Sequence, residues 1–262
     1  MKILIVVPAL RKGGVERLVS VLSEEWINNY EVKITVFDGS NIAYSFNGDL
    51  IDLKLPPKVG ILFKVVQLFN RMIQLIKLFK QDNPDYIISF SETANFPTIL
   101  AAFFSGKLKK TTVSTHADTK IMPKLNRFLI PYLYQVPQKI IAVSKGVSYA
   151  LINLGISKKK IEVIHNPLPV STPSISTPLL RPVSAPENYI LGVGRLDKYK
   201  GFDLLIEAFS NISDSNIHLV ILGEGEERAK LENIVLKKCI SDRVHLLGSV
   251  DDIWPWYRHA KL

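Results

Sequence analysis

Three segments of the chain set glycine beside groups that could hold a phosphate. The first is Pro8-Ala-Leu-Arg-Lys-Gly-Gly14, ahead of a helical pattern opening at Val15. Two glycines at a helix start let a phosphate approach backbone N–H groups at the positive end of the helix dipole, although such a pair can also do no more than make the turn. The second runs from Gly192 to Asp203 and carries Arg195 and Lys200, a guanidinium fork and an ammonium that together could neutralise a diphosphate. The third is Gly223-Glu-Gly-Glu-Glu-Arg228, whose acidic residues also suit the start of a helix. The dinucleotide fingerprint Gly-x-Gly-x-x-Gly is not met, since Asp197 holds its third glycine position, and this argues against a nicotinamide oxidoreductase. His165, His218, His245 and His259 have no partner at metal-ligand spacing and read as structural.

These loops need a frame of strands and helices. Residues 2–7, 32–37, 86–91, 111–115, 139–144 and 161–164 read as strands. The first five are nearly continuous apolar runs, as expected of strands buried on both faces of a parallel sheet. Residues 15–28, 61–81, 94–105, 125–134 and 146–153 have helical period, so the first part of the chain is a doubly wound α/β domain. The same alternation restarts with strands 189–193, 218–222 and 244–247 and helices 202–210, 226–238 and a last turn from Asp251. In open α/β sheets ligands bind at the carboxyl ends of the strands, where all three glycine segments fall. Three strands make about half of a Rossmann-like domain, so the second domain reads as incomplete and the chain as truncated.

The chain has 262 residues, 47% of them apolar, and a formal charge of +9, which suits two globular domains and excludes a disordered chain. A lone Cys239 excludes a disulfide framework and a Cys-clustered zinc site, and fits a reducing, cytoplasmic setting. No stretch reaches the roughly 18 apolar residues of a membrane span. The charge is uneven: residues 1–170 hold 22 Lys and Arg against 12 Asp and Glu, net +10, whereas residues 171–262 hold 11 against 12, net −1. Proline alternates with serine and threonine between the halves, so the reading is a domain over 1–170, a linker over 171–188 and a partial domain over 189–262.

The ordered set Lys2 to Pro8 with Gly13-Gly-Val-Glu-Arg-Leu18, Ala142-Val-Ser144, Ile164-His-Asn-Pro167, Val193 to Ile206, Leu222 to Leu231 and Leu247 to Ile253 resembles the family-4 retaining glycosyltransferases of the GT-B fold. The resemblance implies two Rossmann-like domains facing a cleft, the first on the acceptor side and the second holding a nucleotide-diphosphate sugar as co-substrate. Arg195 and Lys200 match the pair that grips the donor diphosphate and stabilises it as leaving group. Gly14, beside Gly13, matches the glycine facing that diphosphate, and His116 resembles the histidine facing the transferred sugar, though it could also be a satisfied polar residue at a strand end. Gly223 matches the nucleotide-side glycine loop. Val250 and Asp252 match the segment beside the nucleobase, Asp251 and Asp252 also being plausible helix caps. The resemblance implies no metal and no further cofactor, and the sequence has no Asp-x-Asp motif. The family's two glutamates, eight positions apart, would follow Leu262.

Projected at about 100° per residue, 61–81 places Lys64, Gln67, Asn70, Arg71, Gln74, Lys77 and Gln81 in one arc, opposite Leu62, Val65, Val66, Phe69, Met72, Ile73 and Ile76. The apolar arc is expected to pack on the sheet. With Lys107, Lys109, Lys110, Lys120, Lys124 and Arg127 among Phe103, Phe104 and Phe128, it also suggests contact with an anionic membrane surface. No nucleic-acid-binding module is apparent. The reading is therefore a retaining glycosyltransferase acting on a glycan or lipid-pyrophosphate acceptor in the synthesis of a bacterial-type cell-surface polysaccharide or glycolipid. It is expected in the cytoplasm, peripheral to the membrane. The rivals are a GT-B nucleotide-sugar epimerase and a non-catalytic remnant that binds nucleotide or membrane.

Overall fold

The computed structural model describes residues 1–57, 60–116, 119, 122–167 and 179–262, with the side chains of Ile61 and Leu62 left out. The first eight residues of the expected linker, 171–178, and Lys120 of the basic cluster lie outside the described residues. The chain divides into two compact units, Met1–Val170 and Ser171–Leu262.

Unit 1 contains β1 (Lys2–Ala9), α1 (Gly14–Trp26), β2 (Glu31–Asp38), β3 (Asp49–Asp52), α2 (Ile61–Asp82), β4 (Tyr86–Phe90), α3 (Glu92–Phe104), β5 (Thr111–Thr115), α4 (Lys124–Leu133), β6 (Lys139–Ala142), α5 (Lys145–Asn153) and β7 (Ile161–Val163). Its seven strands pair in parallel in the order β3-β2-β1-β4-β5-β6-β7. The continuous apolar runs of β1 arise because both faces are covered. Ile3, Ile5 and Val7 pack with Leu18 and Val19 of α1, while Leu4 and Val6 pack with Leu75 and Phe79 of α2 and Ala94 and Ala101 of α3. Val6, Ser89, Val113 and Ile140 form one row across four strands, so α2, α3, α4 and α5 cover the same face.

Two features depart from the sequence reading. The four-residue edge strand β3 has two aspartates and no strong strand propensity, and it forms by pairing Lys33, Ile34, Thr35 and Val36 of β2 with Asp49 to Asp52. The second departure is the orientation of α2. Its inward arc centres on Leu75 and Phe79 and includes Gln67 and Arg71, whereas Val65, Val66, Phe69 and Ile73 are exposed. Gln67 and Arg71 turn inward because backbone acceptors wait there: Gln67 donates to Pro56 O and Arg71 to Leu55 O at 3.1 Å. The Arg71 guanidinium also lies 4.5 Å from the centre of the Phe37 ring.

Unit 2 contains β8 (Tyr189–Val193), α6 (Phe202–Phe209), β9 (His218–Leu222), α7 (Arg228–Lys237), β10 (Val244–Gly248) and α8 (Trp254–His259). Its strands are parallel in the order β10-β9-β8. Leu219 and Ile221 pack with α6 and α7, and Val220 and Leu222 pack with Tyr189, Ala185 and Trp256. Among the described residues no helix is long and apolar enough to cross a membrane.

The orientation of α2 has a direct test in paired substitutions. Leu75→Ala should cost about 2 to 5 kcal/mol, because a fully buried side chain is lost, whereas Ile73→Ala should stay within about 0.5 kcal/mol. Urea denaturation followed by far-UV circular dichroism measures both, and equal losses would contradict this orientation.

Candidate functional site

In unit 1, β1 lies between β2 and β4, so the loops leaving β1 and β4 flank the point where strand order reverses. Gly13 caps α1 in extended backbone that any residue can adopt, without a side-chain cap hydrogen bond. The cap residue itself offers no side chain to the first amides, and the Glu16 carboxylate of the first turn folds back against Gly13, 2.1 Å from where a Cβ would stand. A Cβ on Gly14 would meet nothing within 4 Å, so no packing within the chain requires glycine at this position. The loop before it is tied down by Arg11, which donates to Asp38 Oδ2 at 2.5 Å at the end of β2. Hydrogen bonds from Ser40 and then from Arg11 hold the Asp38 carboxyl below the usual range.

His116 follows β5. Its Nε2 lies 3.0 Å from Ser114 Oγ, and its ring centre is 5.8 Å from that of Phe90. Burial pushes its pKa down to about 4, so the imidazole is neutral at pH 7 and offers hydrogen bonds rather than charge. Beside it, between β4 and α3, Ser91 has φ 68° and ψ 153°, a conformation that side chains rarely adopt. Glu92 follows, half-buried, its pKa raised by burial and opposed by a hydrogen bond from Tyr134. The fully buried Tyr134 hydroxyl receives Asn95 Nδ2 at 2.8 Å, and Asn95 Nδ2 also donates to Ser114 O at 3.0 Å. This network fixes the ends of β4 and β5 beneath His116. Sequence reasoning missed it, since Tyr134 is 42 positions from Glu92 and no local motif links them.

In unit 2 the loops leaving β8 and β9 are hydrogen-bonded to one another. Gly194 N–H donates to Leu222 O at 3.0 Å, Leu196 N–H to Glu224 O at 2.9 Å, and Glu227 N–H to Leu196 O at 3.0 Å. This close approach accounts for the glycines. A Cβ on Gly223, where φ is 147°, would lie 1.9 Å from Gly194 O, and one on Gly225 would lie 2.2 Å from Leu196 O. Arg195 stands exposed on this platform, with Nε and Nη2 at 2.9 and 2.8 Å from Asp197 Oδ2. Asp197 Oδ1 accepts Tyr199 N–H at 3.0 Å and so starts the 3-10 turn that carries Lys200. Burial opposes ionisation of Asp197, but the bonds from Arg195 and Tyr199 hold its carboxyl below the ordinary range. Lys200 is exposed, its Cδ 3.8 Å from where a Gly194 Cβ would stand. One loop at the carboxyl end of β8 thus carries a guanidinium and an ammonium, both of which act on the Asp197 carboxylate.

Val250 and Asp252 follow β10 at the same end of this sheet. Val250 packs partly against the cluster of Tyr189, Leu222 and Trp256. Asp252 Oδ1 accepts Trp254 N–H at 3.0 Å at the start of α8. The other four histidines all have partners: His165 on Val143 O, His259 on Leu179 O, and His218 and His245 on each other at 3.0 Å.

A profile described as Glycosyltransferase Family 4 matches residues 12–172, more than half of the chain. The chain belongs to that family. A second profile, glycosyl transferases group 1, matches residues 181–262 of this glycosyltransferase. It is 29% identical over 257 residues to the N-acetylgalactosamine-N,N'-diacetylbacillosaminyl-diphospho-undecaprenol 4-alpha-N-acetylgalactosaminyltransferase of Campylobacter jejuni, covering 94% of this chain and 69% of that protein. It is 27% identical to the GalNAc-alpha-(1->4)-GalNAc-alpha-(1->3)-diNAcBac-PP-undecaprenol alpha-1,4-N-acetyl-D-galactosaminyltransferase of the same organism, covering 100% of this chain and 72% of that one. Anabaena HepE, solved with UDP and glucose, superposes with a TM-score of 0.77 at 17% identity over 99% of this chain and 72% of HepE, and shares the GT-B fold.

Two outcomes follow for the glycosyltransferase. Gly223→Ala should destabilise unit 2 by roughly 2 to 4 kcal/mol, since the added carbon meets a backbone carbonyl at a φ that L-residues avoid. An unchanged melting temperature would contradict this loop packing. Because the folded pKa of His116 lies below its unfolded value of 6.5, its neutral form contributes stability that is complete above pH 6.5 and is lost as pH falls towards 4. That loss is about 3 kcal/mol. His245 shifts the same way, first by burial and then by His218. Urea denaturation at pH 7 and pH 4 should show the loss, and His116→Asn should shrink it.

Proposed function

We propose that this glycosyltransferase moves a sugar from a nucleotide-diphosphate donor to a glycan or lipid-pyrophosphate acceptor, with retention at the anomeric carbon. The reaction would run on the cytoplasmic face of the membrane, in synthesis of a cell-surface polysaccharide or glycolipid. Unit 2 would take the donor and unit 1 the acceptor. The observation that carries the reading is the pairing of Arg195 and Lys200 on the loop leaving β8. The two C. jejuni relatives, named for undecaprenol-linked acceptors, and HepE, solved with UDP, support the same classes of acceptor and donor.

Each group has a task in that reaction. When the bond between the anomeric carbon and the diphosphate breaks, negative charge grows on the departing phosphate oxygen. Arg195 exchanges part of its contact with Asp197 for the diphosphate, and Lys200 adds a second positive charge. Asp197 holds the Arg195 guanidinium on this loop before the reaction, so part of its placement is already made. Within unit 1, the start of α1 at Gly13 and Gly14 suits an anion, and Gly14, bare of packing, lets it approach the backbone. In unit 1, neutral His116 offers a hydrogen bond to a sugar hydroxyl without adding charge. Gly223 brings the nucleotide to the backbone, with Val250 and Asp252 beside the base. The acceptor hydroxyl oxygen bonds to the anomeric carbon as the bond to the diphosphate breaks, and the hydroxyl proton passes to the departing phosphate oxygen.

A panel of sugar nucleotides, assayed for nucleoside diphosphate release with a lipid-pyrophosphate acceptor, tests this function. Arg195→Ala and Lys200→Ala should each lower turnover by about 100-fold or more, near 3 kcal/mol of barrier, and leave the unfolding midpoint in place. Wild-type turnover in both variants would overturn the diphosphate assignment, and inverted anomeric configuration in the product would overturn retention.

A further inference from the structure

α2, α3 and α4 cover one face of the unit 1 sheet, yet their outer surface is apolar. On α2, Val65, Val66, Phe69 and Ile73 are 42 to 51% exposed, and at about 100° per residue they fall within a single arc. α3 ends in Phe103 and Phe104, 59 and 60% exposed. On α4, Leu125, Phe128 and Tyr132 recur at helical spacing and are 54 to 66% exposed. The helices belong to one layer, since Leu68 of α2 packs against the cluster that contains Phe96 of α3 and Ile130 of α4. A helix lying on a sheet normally turns its apolar arc inward and its polar arc to water. Here Gln67 and Arg71 point inward, and the valines, Phe69 and Ile73 are left outside.

The charge on this layer has one sign. Lys64, Lys77, Lys80, Lys124 and Arg127 are exposed, and among the described residues no carboxylate pairs with them. Lys77 and Lys80 fall beside Phe69 and Ile73 on the same arc. The three helices contain two acidic residues: Asp82 is held by Lys2 and Lys33, and Glu92 turns in towards Tyr134. A second copy of the chain would bring like charges together, and a soluble polyanion would leave the apolar side chains in water. An anionic bilayer satisfies both, with phosphate groups for the cations and acyl chains for the apolar arc.

We propose that this layer of unit 1 is a membrane-docking surface, in which Val65, Val66, Phe69 and Ile73 of α2, with Phe128 of α4, enter the headgroup boundary of an anionic bilayer while the flanking lysines hold its phosphates. The chain lies on the membrane by insertion and charge together. Docking requires no donor sugar, so it stands or falls separately from the transfer reaction.

Sedimentation of the whole chain with vesicles tests it, using phosphatidylcholine alone and equal parts phosphatidylcholine and phosphatidylglycerol. Binding to the anionic vesicles should exceed binding to neutral ones by about ten-fold or more. The paired changes Phe69→Glu with Ile73→Glu, and Lys77→Glu with Lys80→Glu, should each weaken anionic binding about ten-fold or more, with unchanged circular dichroism and urea midpoint. Equal binding to both vesicle types would overturn the proposal. So would wild-type binding by the Phe69 and Ile73 pair, which would leave a purely electrostatic surface. Absence of vesicle binding, together with a dimer in light scattering that this pair abolishes, would assign the surface to a second copy and also overturn it.

Discussion

Each strand pair in both units is parallel, so every strand must be followed by a return path over one face of its sheet. The loops that leave the strands therefore gather at one end of each sheet, where the helices begin. Arg195, Lys200, Gly223, Val250 and Asp252 share that end of unit 2, and Gly13, Gly14 and His116 share it in unit 1. Residues far apart in sequence meet there without a dedicated motif to bring them together.

The parallel constraint also explains how a polar loop becomes rigid. In unit 2 the loops after β8 and β9 run close enough to exchange backbone hydrogen bonds, and the approach is possible because Gly223 and Gly225 have no side chain. Asp197 then serves two purposes, starting the turn before Gly201 and holding the Arg195 guanidinium. Unit 1 uses buried polar groups for the same end: the hydroxyl of Tyr134 and the amide of Asn95 join β4, β5, α3 and the end of α4. A partly satisfied network of this kind would be costly, so it also specifies one arrangement of these strand ends.

Much of this was legible in the sequence because strand burial and helix period are local signals. The runs at 2–7, 111–115, 189–193 and 218–222 show their strands directly, and the glycines with Arg195 and Lys200 mark the loops proposed to meet an anion. β3 was illegible because an aspartate-rich edge strand is made by its neighbour rather than by its own propensity. The facing of α2 was illegible because the carbonyls of Leu55 and Pro56, which draw Arg71 and Gln67 inward, belong to a loop whose position the helix sequence does not encode. The contacts of Asp38 with Arg11 and of Tyr134 with Asn95 span the fold and leave no spacing to read.

The central claim is that the carboxyl ends of β8, β9 and β10 form the donor site, with Arg195 and Lys200 on its diphosphate. Titrating uridine diphosphate into the isotope-labelled chain and following backbone amide resonances tests this most directly. The account predicts shifts confined in unit 2 to residues 194–201, 223–227 and 249–252, with Arg195 and Gly223 among the largest. Shifts centred instead on Asn188, Asp214, Asn216 and His218, around a cavity of about 490 Å³ at the opposite end of the same sheet, would contradict it.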